Sequence, residues 1–176
     1  MSKKTFRCTS IIVFVLLCSV GGIYWLATNF INNYDAITDC NPKKLMRHIE
    51  HQYGCVFSKE ISNVRAAQGG AGFADSGFEY ILKFAASPNL VQEFLNLLPK
   101  DPDESFLFKN LRQYNSQDDE RLNYTENMPE WSRTPITKGY MVYVHAKSPG
   151  ADSLRIYIDT HDTNEYTVYL RGRNMF

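Results

Sequence analysis

The stretch that most constrains this chain is Ile11–Ala27, IIVFVLLCSVGGIYWLA. No Asp, Glu, Lys or Arg falls between Cys8 and Tyr34. At about 1.5 Å of rise per residue, a helix of this length reaches roughly 26 Å, close to the ~30 Å of a bilayer's hydrocarbon. Helix is the form expected there, because backbone N–H and C=O groups find no partners in lipid. Tyr24 and Trp25 sit near the far end, where amphipathic rings prefer the headgroup level, and Lys3, Lys4 and Arg7 precede the run. The expectation is therefore a signal-anchor: residues 1–10 a cytoplasmic tail, 11–27 a transmembrane helix, 28–39 a connector and 40–176 a domain outside the cytoplasm. That topology makes the lipid bilayer a partner through Ile11–Ala27. It places the protein in the inner (cytoplasmic) membrane, single pass, N-terminus inside and C-terminal domain periplasmic or extracellular. A cleaved signal peptide is the alternative, with Ile11–Leu17 as its apolar core and Ser19-Val20-Gly21 at the cleavage site. Against it, Ile23–Leu26 stays apolar beyond that point.

Two cysteines, Cys40 and Cys55, lie beyond the apolar stretch. In an oxidising compartment such a pair is expected to form a disulfide, worth about 3 kcal/mol for a loop of roughly fifteen residues. The absence of a CxxC spacing gives no support to a zinc site. The formal charge is zero, but three of the 19 Lys+Arg lie in the N-terminal tail, so 16 face 19 Asp+Glu in the remainder. A slightly acidic domain of this kind does not read as a nucleic-acid binder.

The domain reads as α+β. Asn41 and Pro42 mark a helix start and Gly54 its end, with Leu45, Met46, Ile49 and Tyr53 at helical spacing between. A second helix follows Ser87-Pro88 and runs through Leu98. Val56–Ala66 reads as a strand, and Phe78, Tyr80, Leu82 and Phe84 alternate as a half-buried one. Tyr140–Ala146, Leu154–Asp159 and Glu165–Arg171 form an antiparallel meander punctuated by turns at Pro149-Gly150 and Thr160–Asn164. The sum is one domain with an antiparallel sheet of about five strands and two helices on one face. Ser105–Trp131 carries no readable period.

No constellation reads as a catalytic centre, and no cofactor or metal is expected. His48 and His51 lack the four-residue step of a zinc-protease helix. DTHDTNE, residues 159–165, departs from a calcium loop at its third and sixth positions and fits a hairpin turn. GGAGFADSG has the glycines of a phosphate loop without its Lys-Ser/Thr ending. An enzyme using Asp159, His161 and Asp162 is the minor reading. Trp131, beside the acidic run Asp118, Asp119 and Glu120, is a candidate protein-contact anchor. With Asp159, His161 and Asp162, these residues make up the candidate partner surface.

From Met128 to Arg171 the chain carries Pro129-Glu130-Trp131, a Tyr-rich strand, Leu154-Arg155-Ile156-Tyr157-Ile158-Asp159 and a closing Val168-Tyr169-Leu170. This quarter of the chain resembles small bacterial proteins encoded beside polymorphic toxins, many of them membrane-anchored or exported immunity proteins. The resemblance implies a membrane-anchored protein-binding domain that occludes a toxin, its acidic loops meeting a basic surface. A structural or assembly component of a cell-envelope complex is the alternative.

Overall fold

The computed structural model describes residues 19–25, 37–70, 77–99, 107–123, 128–144 and 154–175. Seven strands form one antiparallel sheet: β1 (Thr38–Asp39), β2 (Ser62–Gly70), β3 (Gly77–Ala86), β4 (Arg112–Gln113), β5 (Gly139–Val144), β6 (Leu154–Asp159) and β7 (Tyr166–Met175). Their order is β1-β2-β3-β7-β6-β5-β4. The meander β5-β6-β7 thus joins the hairpin β2-β3 through the long β3–β7 ladder. The domain is α+β, with seven strands where about five were expected. The two extra strands are the two-residue edges β1 and β4, and β1 and Ile37 fall inside the segment read as connector.

Helices α1 (Pro42–Tyr53) and α2 (Pro88–Leu97) cover one face of the sheet. Their starts follow the capping rules read from sequence. The Asn41 side chain accepts from the Lys43 N–H and the Ser87 side chain from the Leu90 N–H, each followed by proline. Gly54 closes α1 in the left-handed region at φ 68°. Leu45, Ile49 and Tyr53 from α1, and Val91, Phe94 and Leu95 from α2, bury against alternate strand residues: Tyr80, Leu82 and Phe84, then Val168 and Leu170, then Leu154, Ile156 and Ile158. Phe57, Phe84 and Phe94 pack ring on ring, with centroids 5.1–5.7 Å apart.

The membrane expectation is corrected. Residues 19–25 are helical. Residues 11–18 and 26–27 of the proposed span lie outside the described residues. Among the described residues no helix is long and apolar enough to cross a membrane. That finding overturns the transmembrane signal-anchor and the lipid bilayer as partner. It also overturns the single-pass inner-membrane topology and the periplasmic or extracellular placement built on it. The membrane-anchored function falls with them, both as a toxin-occluding immunity protein and as an envelope-assembly component.

The disulfide is corrected as well. Cys40 and Cys55 are free thiols. They flank the two ends of α1, whose 12 residues span about 18 Å, whereas a disulfide needs Cα atoms within ~7 Å. Cys55 is buried, and its thiol points at the Ile49 carbonyl, 3.9 Å away. Burial pushes this thiol up from 9.0 to about 12. In the same direction, burial raises Tyr80, Tyr114 and Tyr157 above 10.0. As pH rises past about 9 the unfolded chain releases the Cys55 proton while the folded chain keeps it. The folded state then binds more protons, so stability falls with pH. The urea midpoint is expected to decline from about pH 9 towards 12, more steeply above 10 where the tyrosines join. Cys55→Ala is expected to flatten the first part of that decline.

Candidate functional site: an arginine–tyrosine sheet face

The face of the sheet away from α1 and α2 is built by strict alternation. In β6, Leu154, Ile156 and Ile158 turn to the helices, so Arg155 and Tyr157 turn away. In β7, Val168 and Leu170 do the same, leaving Tyr169, Arg171 and Arg173 on the second face. The register then sets these residues side by side. One row runs Ala67, Ile81, Arg171, Arg155, Tyr143, and the next Arg65, Lys83, Tyr169, Tyr157, Met141. At the centre of the sheet is a two-by-two block: Arg155 directly opposite Arg171, and Tyr157 directly opposite Tyr169.

Two single 3-10 turns, at Ser116–Asp118 and Glu130–Arg133, and a one-turn helix, α3 (Glu120–Asn123), cover part of this face, while a third, at Phe108–Asn110, packs through Phe108 on Tyr140 and Tyr166 of the opposite face. Arg121 is fully buried and lies on the tyrosine pair, its guanidinium carbon 4.1 Å from the Tyr169 centroid and 4.8 Å from that of Tyr157. Asp119, also fully buried, neutralises it. Its Oδ1 accepts from Arg121 Nε at 2.9 Å and from the Arg121 backbone N–H at 3.0 Å. Its Oδ2 accepts from Arg121 Nη2 and, at 2.8 Å, from the Tyr114 hydroxyl. Burial and this bond to a carboxylate hold Tyr114 protonated well above its ordinary range.

The other charged side chains of this face make contacts of their own. Arg171 Nη2 donates to Glu79 Oε2 at 3.1 Å. Arg155 directs Nε and Nη2 at one neutral atom, the Tyr143 hydroxyl oxygen, at 3.1 and 3.0 Å. Lys83 Nζ stands 5.4 Å from the Tyr169 centroid. Glu79 and Asp119 are the carboxylates of the described ion pairs on this face, with Arg171 and Arg121. Desolvation, then the neighbouring Arg171 charge, lowers the Arg155 pKa. Around the tyrosine pair, Arg121 Nη1 and the Tyr157 hydroxyl are buried with no hydrogen-bond partner. Such atoms each cost about 1–3 kcal/mol in the folded state.

The residues singled out from sequence are dispersed in other tasks. Asp119 is the buried partner of Arg121. Asp118 pairs with Arg112 at 2.7 Å, and the Glu120 side chain lies outside the described residues. Trp131 is half-buried beside Ile37, Ala67, Ile81 and Met128, and its indole N–H donates to Asp39 at 2.9 Å. Asp159 and Asp162 accept backbone N–H bonds from His161 and Asn164, at 2.9 and 2.8 Å, and so shape the β6–β7 turn. His161 and Asp162 are exposed there, at the end of β6 away from Arg155. His48 packs edge-on to Tyr80, with centroids 6.3 Å apart. Gly69 and Gly70 belong to β2 and Gly77 to β3, while residues 71–76 of the glycine-rich stretch lie outside the described residues. Among the described residues no group of three His, Cys, Asp or Glu could hold a metal ion.

Sequence reasoning missed the arginine–tyrosine block. The signal was present in Leu154–Ile158 and Val168–Arg173, where every second residue is Arg or Tyr. Compared with protein-family models, curated proteins and solved structures, the chain shows no match.

Proposed function

We propose that this is a non-catalytic binding domain whose arginine–tyrosine face receives an oxyanion, a carboxylate or a phosphate, at Arg155 and Arg171. The observation that carries the reading is the cross-strand pairing of these two arginines. Like charges directly opposite in a sheet are destabilising, and the described ion pair of this couple, Arg171 with Glu79, lies on the Arg171 side. An oxyanion bridging the pair removes that repulsion. Arg155 is suited to it because Nε and Nη2 form the edge that binds carboxylate or phosphate bidentately. A neutral phenol occupies that edge, and it belongs to Tyr143, 40% exposed at the domain surface. A charged acceptor makes hydrogen bonds about twice as strong as a neutral one, so an anion displaces the Tyr143 hydroxyl.

The test is titration of the protein with benzoate and with inorganic phosphate, reading the Arg155 Nε–H resonance by NMR. At least one anion is expected to shift it saturably, and Arg155→Gln is expected to weaken binding tenfold or more. Ligand-free Arg155→Gln is expected to be as stable as the parent or about 0.5 kcal/mol more so, since a like-charge pair is removed. A resonance indifferent to both anions, or a variant that binds as the parent does, defeats the reading.

A further inference from the structure

We infer that the oxyanion received at this face is a carboxylate, gripped by the Nε–Nη2 edge of Arg155 and by the Tyr143 hydroxyl. The inference rests on the anion-binding reading above and deepens it.

The molecule already builds one such grip, around Asp119. There Arg121 presents Nε and Nη2 to the two carboxylate oxygens, with Nε 2.9 Å from Oδ1 and Nη2 on Oδ2. The Tyr114 hydroxyl is a further donor, 2.8 Å from Oδ2, the oxygen that Nη2 also takes. The planar fork of a guanidinium matches the two oxygens of a carboxylate, and a phenol O–H fills a lone pair that the fork leaves over.

Arg155 and Tyr143 bring the same three donor atoms together at the surface. Pairing of β5 with β6 sets the two residues directly opposite each other. The same two nitrogens, Nε and Nη2, converge on one tyrosine hydroxyl at 3.1 and 3.0 Å. The acceptor is what differs: a single neutral oxygen is shared here, where Asp119 gives Arg121 two charged ones. A carboxylate supplies each nitrogen with an oxygen of its own, and its bonds are charge-assisted. A tyrosine hydroxyl both accepts and donates. Moved off the arginine edge, it donates to the bound carboxylate, as Tyr114 does to Asp119. Tyr143 is 40% exposed and Arg155 half-buried, so a ligand reaches the edge from solvent.

The surroundings favour a single negative charge. Arg171, the cation opposite Arg155, is 6% exposed and already paired with Glu79 at 3.1 Å. A second charge on the ligand meets the Glu79 carboxylate as well as the Arg171 guanidinium, and the two act on it with opposite sign. A carboxylate carries one charge, whereas a phosphate monoester is largely dianionic at pH 7.

The experiment is calorimetric titration of the full chain with benzoate and with phenyl phosphate, on the parent, Arg155→Lys and Tyr143→Phe. Benzoate is expected to bind the parent more tightly than phenyl phosphate. Arg155→Lys keeps the charge and loses the fork, and is expected to weaken benzoate about tenfold. Tyr143→Phe removes the third donor and is expected to weaken benzoate about fivefold. Both variants are expected to unfold near the parent's midpoint, because the two side chains meet at the surface. Weaker binding with unchanged unfolding marks a lost ligand contact and not a damaged fold. Tighter benzoate binding by Tyr143→Phe shows a hydroxyl that only blocks the edge, and overturns its part in the grip. Arg155→Lys that binds benzoate as the parent does overturns the edge-on carboxylate. A short peptide with one central glutamate, set against its glutamine twin, identifies the source. Glutamate-dependent binding tighter than that of benzoate assigns the site to an acidic side chain of another protein, and equal or weaker binding assigns it to a free carboxylic acid. Phenyl phosphate that binds as tightly as benzoate overturns the carboxylate and leaves the anion site standing. Failure of both probes on the parent overturns both.

Discussion

Arg121→Ala is expected to lose about 3–5 kcal/mol of folding stability, the range for removing one partner from a buried ion pair. The loss arises mainly from what stays behind. Asp119 is fully buried and receives four hydrogen bonds from Arg121, one of them through the backbone. With the guanidinium gone, the carboxylate keeps the Tyr114 hydroxyl and the Arg121 backbone N–H and has no counter-charge. The tyrosine pair also loses the cation stacked on it. Urea unfolding at neutral pH measures the change. Replacing both partners at once, Asp119→Leu with Arg121→Met, is expected to recover most of the loss, because no charge is then left buried. An Arg121→Ala protein within about 1 kcal/mol of the parent would contradict the buried pair described here.

Gly139→Ala is expected to cost about 3 kcal/mol, near the top of the usual range for overpacking. Gly139 opens β5 directly opposite Asp159, and an added Cβ there would run into the Ile158 backbone carbonyl and crowd the Ile136 methyl. The obstacle is main chain of the neighbouring strand, so no rotamer change relieves it. The same corner is knitted by Tyr114 N–H to the Gly139 carbonyl and Thr160 N–H to the Lys138 carbonyl, both 2.9 Å. Displacing β5 therefore loosens the turn that leads to Tyr114 and, through it, Asp119. Thermal unfolding of Gly139→Ala, with Gly54→Ala as a comparison in open space but at positive φ, separates crowding from backbone strain.

Those two sites differ in how far sequence discloses them. Helices α1 and α2 were legible because their ends are written in local chemistry: Asn41-Pro42, Gly54 and Ser87-Pro88 act within a turn of themselves. β6 was legible because Leu154, Ile156 and Ile158 alternate cleanly, whereas β2 begins six residues later than its β-branched residues suggested. β1 and β4 are two residues each and have no period to detect. The disulfide expectation had Cys40 and Cys55 bracket a helix and did not weigh the length of its 12 residues, about 18 Å, against the reach of an S–S bond. The anchor expectation weighed composition, while the described part of that stretch is seven helical residues, 19–25.

The binding face was hidden for a different reason. Alternation shows that Arg155, Tyr157, Tyr169 and Arg171 share a side of their strands. It does not show that β6 and β7 pair in the register that sets arginine against arginine. Nor does it show that Asp119 and Arg121, in a segment with no readable period, fold over the tyrosines. Attention to the acidic turn at Asp159–Asp162 therefore fell at the other end of the strand from the cationic block.

A sheet of seven strands whose first and last members are each two residues long gives a neighbouring molecule little continuous ladder to extend. Long, flat borders invite crowded copies to stack into fibrils, and very short ones deny them a template. The abbreviated strands thus guard a tyrosine-rich polypeptide against its own copies.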